Sequence, residues 1–238
     1  CLFCNRFTTI CKFHPTNESM KGILFSFVLM ALSLDGLSAQ EFHFTLHAGP
    51  AYSWMSANKN TIKRFDTRFA FKAHLQAEYW FNPKMAFVGG LGFSLGQGGA
   101  LEFKKGGDLL KEAELSEPIY HDLPAGTRIV YRMNYLDLPF GLKLRTNEFK
   151  GYRYHLVAPE VILSMRTKAR GDIAASGLPF TKDEDLRGAM QFFVLFYGIY
   201  AGLEKTLSED LSLVGGIRFS QSFTDITKES GQYSDGSK

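Results

Sequence analysis

The side chains best suited to chemistry are His43, His47, His74, Glu78, Asp137, Lys143, Arg145, Glu204 and Arg218. Imidazoles and carboxylates act as general acids and bases, or as metal ligands, when they converge on one point. His74 and Glu78 share one face of an extended segment, four residues apart. At a strand rise near 3.3 Å they are roughly 13 Å from each other and do not touch. A second group, His121, Asp122, Ser116, Ser176 and Asp183 to Asp185, falls in long polar stretches, where such residues are ordinary loop constituents. Cys1 and Cys4 have C-x-x-C spacing, with Cys11 and His14 nearby, but no second cysteine pair follows. No G-x-S-x-G, H-E-x-x-H or phosphate-binding loop occurs. The expectation is no catalytic residue, no metal site and no cofactor. His43, His74, Glu78, Asp137, Lys143, Glu204 and Arg218 are expected instead to form a network of mixed charges that pair with one another.

What would enclose such a network follows from the periodicity. Aromatic residues make up 14% of the chain and there are 23 glycines, a bias toward β structure. From Phe42 onward apolar and polar residues alternate, and side chains alternate across a strand. In 42–54, Phe42, Phe44 and Leu46 oppose His43, Thr45 and His47. In 66–80, Phe69, Phe71 and Leu75 oppose Arg68, Lys72 and Glu78. Segments 85–97 and 211–225 are equally regular. In 128–145 the apolar set changes phase near Tyr135-Leu136, which predicts a β-bulge. Pro159 interrupts 152–168 and predicts a break in pairing. Segment 191–206 is apolar on both faces before it settles. Seven strands are expected.

Alternation suits a soluble lipocalin-like binding barrel as well as a membrane barrel. The connections decide between them. They run 55–65, 81–84, 98–127, 146–151, 169–190 and 207–210, alternately long and short. Membrane barrels have short periplasmic turns and long external loops. The segments exceed the roughly 9–11 residues that cross a bilayer. Tyr52, Trp54, Tyr79, Trp80, Tyr131, Tyr135, Tyr152 and Tyr154 are expected to form interfacial girdles. Upstream, Lys21 precedes an apolar run over Gly22–Leu34 and small residues near Ala39, the order of a signal peptide. The expected organisation is an upstream extension (1–19), a signal peptide (20–40) and an all-β, antiparallel, up-and-down transmembrane barrel (41–238). The type is eight-stranded with seven strands visible. Such barrels have even strand numbers, and the tail from Ile226 is polar, so the last strand is expected to be missing from this chain.

Three stretches resemble the PorT-like outer-membrane β-barrel proteins of Bacteroidetes. They are Tyr135-Leu136-Asp137-Leu138-Pro139 with Gly141-Leu142-Lys143, Gly198 to Glu204, and Gly216 to Ile226 with its Arg218-Phe219 pair. The resemblance spans roughly residues 40–228 and implies a small integral outer-membrane barrel without enzymatic activity, supporting envelope assembly, protein secretion or surface contact. The partners it implies are outer-membrane lipid, the barrel-assembly machinery and secretion or surface proteins. Nucleic acid is not among them, because net charge is only +3 and no basic run occurs.

Overall fold

The computed structural model describes residues 41–57, 59–208, 211–228 and 232–233. The expected upstream extension and signal peptide, and all three cysteines, lie outside the described residues. Eleven strands are described: β1 (Glu41–Ser53), β2 (Ile62–Asp66), β3 (Arg68–Asn82), β4 (Met85–Phe103), β5 (Gly107–Asp108), β6 (Thr127–Arg145), β7 (Tyr152–Ala174), β8 (Thr181–Asp185), β9 (Phe193–Thr206), β10 (Ser212–Ser222) and β11 (Gln232–Tyr233). The seven long ones are the seven periodic segments. They pair antiparallel in the order β1-β3-β4-β6-β7-β9-β10, each with its neighbour in the chain. β2 adds to β4 and β8 to β7, while β11 and β5 make a separate two-stranded sheet.

The seven-stranded sheet is curled. Arg218 on β10, the last long strand, comes within 2.7 Å of His74 on β3, the second. Because the strands alternate in direction, β1 and β10 run the same way. No pairing joins them among the described residues.

The faces are those of a chain whose outside is apolar. Phe44 is 74% exposed and Ile217 81%, whereas His74, Gln76, Glu78, Asp137, Lys143 and Glu160 are buried inside. A lipocalin-like barrel requires the reverse. An outer face of this kind is stable only against lipid, where each strand must also find all its backbone partners.

Two expectations about loops and one about phase need correction. β4 continues to Phe103 and β7 to Ala174, so 98–103 and 169–174 are sheet rather than loop. β2 and β8 supply hydrogen-bond partners to these extensions. The pairing register does shift at Asn134/Tyr135, but the extra residue, Thr167, is on β7. A second irregularity falls on β4 between Ser94 and Gln97, with Gly96 in the left-handed region (φ 70°). β6 keeps its phase throughout: Ile129, Tyr131, Met133, Tyr135, Asp137 and Lys143 all point inward and are buried. Its apolar residues change face because the interior itself changes from apolar to polar. Tyr131, Tyr135 and Trp80 are consequently interior, not girdle, residues, while Tyr52, Trp54, Tyr152 and Tyr154 are exposed as expected. Pro159 does break the pairing, between Val157 and Glu160 against β9.

Candidate functional site: a polar well under an apolar cap

The interior has two storeys. The lower one is polar. At its floor the Arg145 guanidinium stacks on Trp80, 3.7 Å from the ring centroid, and its Nε donates to the Pro83 carbonyl (2.9 Å). Nearby, Arg153 lies 3.7 Å from Glu204 and 2.7 Å from Glu148. One step up, Lys143 on β6 donates to Glu78 on β3 (2.7 Å), and the Thr45 hydroxyl of β1 donates to the same oxygen (2.7 Å). His43 is beside this pair in register, opposite Glu78, and lies at the exposed edge of the sheet. Above it, Tyr200 sits between two imidazoles, with centroids 5.0 Å from His47 and 5.2 Å from His155.

The top of the well is centred on Asp137. Ser164 donates to one carboxylate oxygen (2.6 Å), and Ser94 and His74 Nε2 (3.1 Å) bind the other. Arg218 approaches the second imidazole nitrogen, Nδ1, and arginine can only donate. Nδ1 therefore accepts, which puts the His74 proton on Nε2, facing Asp137. Arg218 also lies 3.0 Å from Glu160, a carboxylate with no exposed surface. The glycines of the inner faces make room for these rings. A Cβ at Gly92 would collide with the His74 ring, and one at Gly202 with the His155 ring. The small residues of the alternating pattern are thus slots for their neighbours' polar side chains.

The upper storey is apolar. Leu101, Phe103, Ile129, Tyr131, Met133, Tyr135 and Ile173 project from the sheet extensions and meet Met55, Leu110, Leu123, Leu186 and Met190 from the connections. Ile226 packs against this cluster as well. The tail returns to the cap: Tyr233 pairs with Gly107, and its hydroxyl lies 3.1 Å from that of Thr61. Glu184 on β8 fastens the 104–126 connection. Its carboxylate accepts the Ser116 amide (2.7 Å), the Ser116 hydroxyl (2.5 Å) and the Thr181 hydroxyl (2.5 Å). Burial by itself would raise its pKa, but these hydrogen bonds prevail and hold it below the usual 4.5.

A profile of the family described as outer membrane protein beta-barrel domain matches residues 38–228. The chain belongs to that family. This outer-membrane barrel matches no curated protein and no solved structure.

Of the seven residues expected to form the interior network, His74, Glu78, Asp137, Lys143 and Arg218 are brought together, Glu204 lies at the floor with Arg153, and His43 stands at the edge. His74 and Glu78 have different partners, in keeping with their spacing. Sequence reasoning missed Glu160, His155, Tyr200, Ser94 and Ser164. Strand parity places His155 and Tyr200 on the inner face, but the break at Pro159 conceals that Glu160 rejoins it. Of the rim residues, Ser116 and Glu184 meet, while His121 lies 3.4 Å from Asp108, Asp185 pairs with Arg187 (2.7 Å), and Ser176 lines a shallow depression with Arg128 and Phe180. Among the described residues, no group of three His, Cys, Asp or Glu side chains could hold a metal.

Proposed function

We propose that this outer-membrane barrel is a non-conducting, non-enzymatic scaffold of the PorT-like type, which holds an ordered external platform for contact with secretion or surface proteins. The observation that carries this reading is the apolar cap. Side chains from four sheet strands and three connections fill the outer end of the interior. A channel needs a continuous polar path, and on β6 the inward side chains pass from Asp137 to Tyr135, Met133, Tyr131 and Ile129, all buried in the cap. Below it Lys143 pairs with Glu78, His74 with Asp137 and Arg218 with Glu160, as expected for a network that holds strands in register rather than one that handles a solute. The three stretches that resemble PorT-like proteins support the type, since Asp137, Lys143 and Arg218 all fall within them.

The test is conductance across a planar bilayer carrying the protein. The expected trace shows no defined steps, and deletion of residues 108–122, part of the cap, introduces them. Steps of constant size with the intact protein would contradict a scaffold and indicate a pore.

A further inference from the structure

The outward face of the barrel changes character abruptly on two adjacent strands. On β6, Leu144, Leu142, Phe140, Leu138 and Leu136 face out, and then Asn134 and Arg132 follow. On β7, Val161, Leu163 and Met165 give way to Lys168 and Arg170. The register sets Leu136 beside Met165, Asn134 beside Lys168, and Arg132 beside Arg170. Like charges directly opposite on a sheet are unfavourable unless something else compensates them. Part of the compensation is internal: Asp172 is 2.6 Å and Asp183 3.3 Å from Arg132, and Asp185 is 3.8 Å from Arg170. Asp185, however, is closer to Arg187. Lys168 is exposed, and no carboxylate lies within ion-pair distance of it among the described residues.

These cations stand at the first polar level beyond the apolar band, on its external side, facing sideways into the bilayer rather than up into the cap. That is the depth of the outer-leaflet headgroups. We propose that Arg132, Lys168 and Arg170 form a headgroup site for a phosphate-bearing lipid of the outer leaflet, with the acyl chains against Leu136, Leu138, Leu163 and Met165. Guanidinium forks and an ammonium are the natural donors to phosphate oxygens. The phosphate would relieve the Arg132–Arg170 opposition and give Lys168 a partner. The proposal rests on the outer-membrane placement of the barrel and is independent of its role as a scaffold.

The test uses the full chain in detergent micelles doped with bis-phosphorylated lipid A, with retained lipid weighed by mass spectrometry of the intact protein. The wild-type protein is expected to keep the phosphorylated lipid and to release its dephosphorylated counterpart. Each basic residue at an anionic lipid surface contributes enough for roughly a five-fold change in affinity, so Lys168→Gln should lower retention about that much, and Lys168→Gln with Arg170→Gln further. Lys168 makes no contact that folding needs, and circular dichroism and the temperature of heat-induced gel shift confirm that the variant is intact. Equal retention by the double variant, or of the dephosphorylated lipid, overturns the site. So does an absence of lipid on the wild-type protein. Displacement of the lipid by inorganic phosphate at equal concentration would make it a site for free anions, which also overturns the proposal.

Discussion

The well and the cap are built on the same strands by opposite means. β6 serves both: from Tyr135 out to Ile129 its inner side chains are apolar or aromatic, and its inward charges, Asp137 and Lys143, lie below them. In the well, specificity comes from charge. Glu78, Asp137 and Lys143 are removed from water, and each depends on a partner at hydrogen-bond distance. In the cap, stability comes from area, and individual contacts are replaceable as long as volume is conserved. The difference predicts different failures. The well should tolerate the joint loss of two partners better than the loss of one, and the cap should soften in proportion to the volume removed.

The largest effect is expected in the well. Lys143→Met strands Glu78 as a buried, uncompensated carboxylate, at a cost of about 3–5 kcal/mol. Urea unfolding in micelles should show that loss, and adding Glu78→Leu should recover most of it. If the double variant is no better than the single, the pair is not a coupled unit. The cap should yield somewhat less. Leu186→Ala removes a fully buried side chain and is expected to cost about 2–4 kcal/mol. The loss should appear as faster trypsin cleavage at Lys111 or Lys182, with the heat-induced gel shift of the barrel unchanged. Loss of the gel shift at the same time would show that cap and well unfold as one body. The smallest effect is electrostatic. Because Glu184 is held ionised below its usual 4.5, its contribution is complete above that pH and fades as pH falls through the depressed value. Protection of the 104–126 connection from proteolysis should therefore decline below pH 4.5, while Glu184→Gln should weaken it at neutral pH by about 1.5 kcal/mol and flatten the pH dependence.

The seven strands and their order were legible because a half-buried strand repeats every two residues, and β1, β3 and β10 do so almost without exception. So was the inward facing of Glu78 and Lys143, since a charge in the middle of an alternating run has nowhere else to face. The cap was not legible. Leu110, Leu123, Leu186 and Met190 come from connections with no period, and only the fold brings them over Ile129 and Met133. β6 was misread for the same reason: a strand whose surroundings change along its length imitates one whose phase changes. Glu160 was hidden because the irregularity at Ala158 and Pro159 resets the count of inward positions.

On β6 the border between the storeys falls between consecutive inward residues, Tyr135 and Asp137, with nothing facing in between them. The depth of the well is thereby quantised. Exchanging one inward side chain moves the border by two residues, about 6.6 Å along the strand. A descendant of this chain could deepen or fill its interior one substitution at a time, without touching the outer face, the register or the turns.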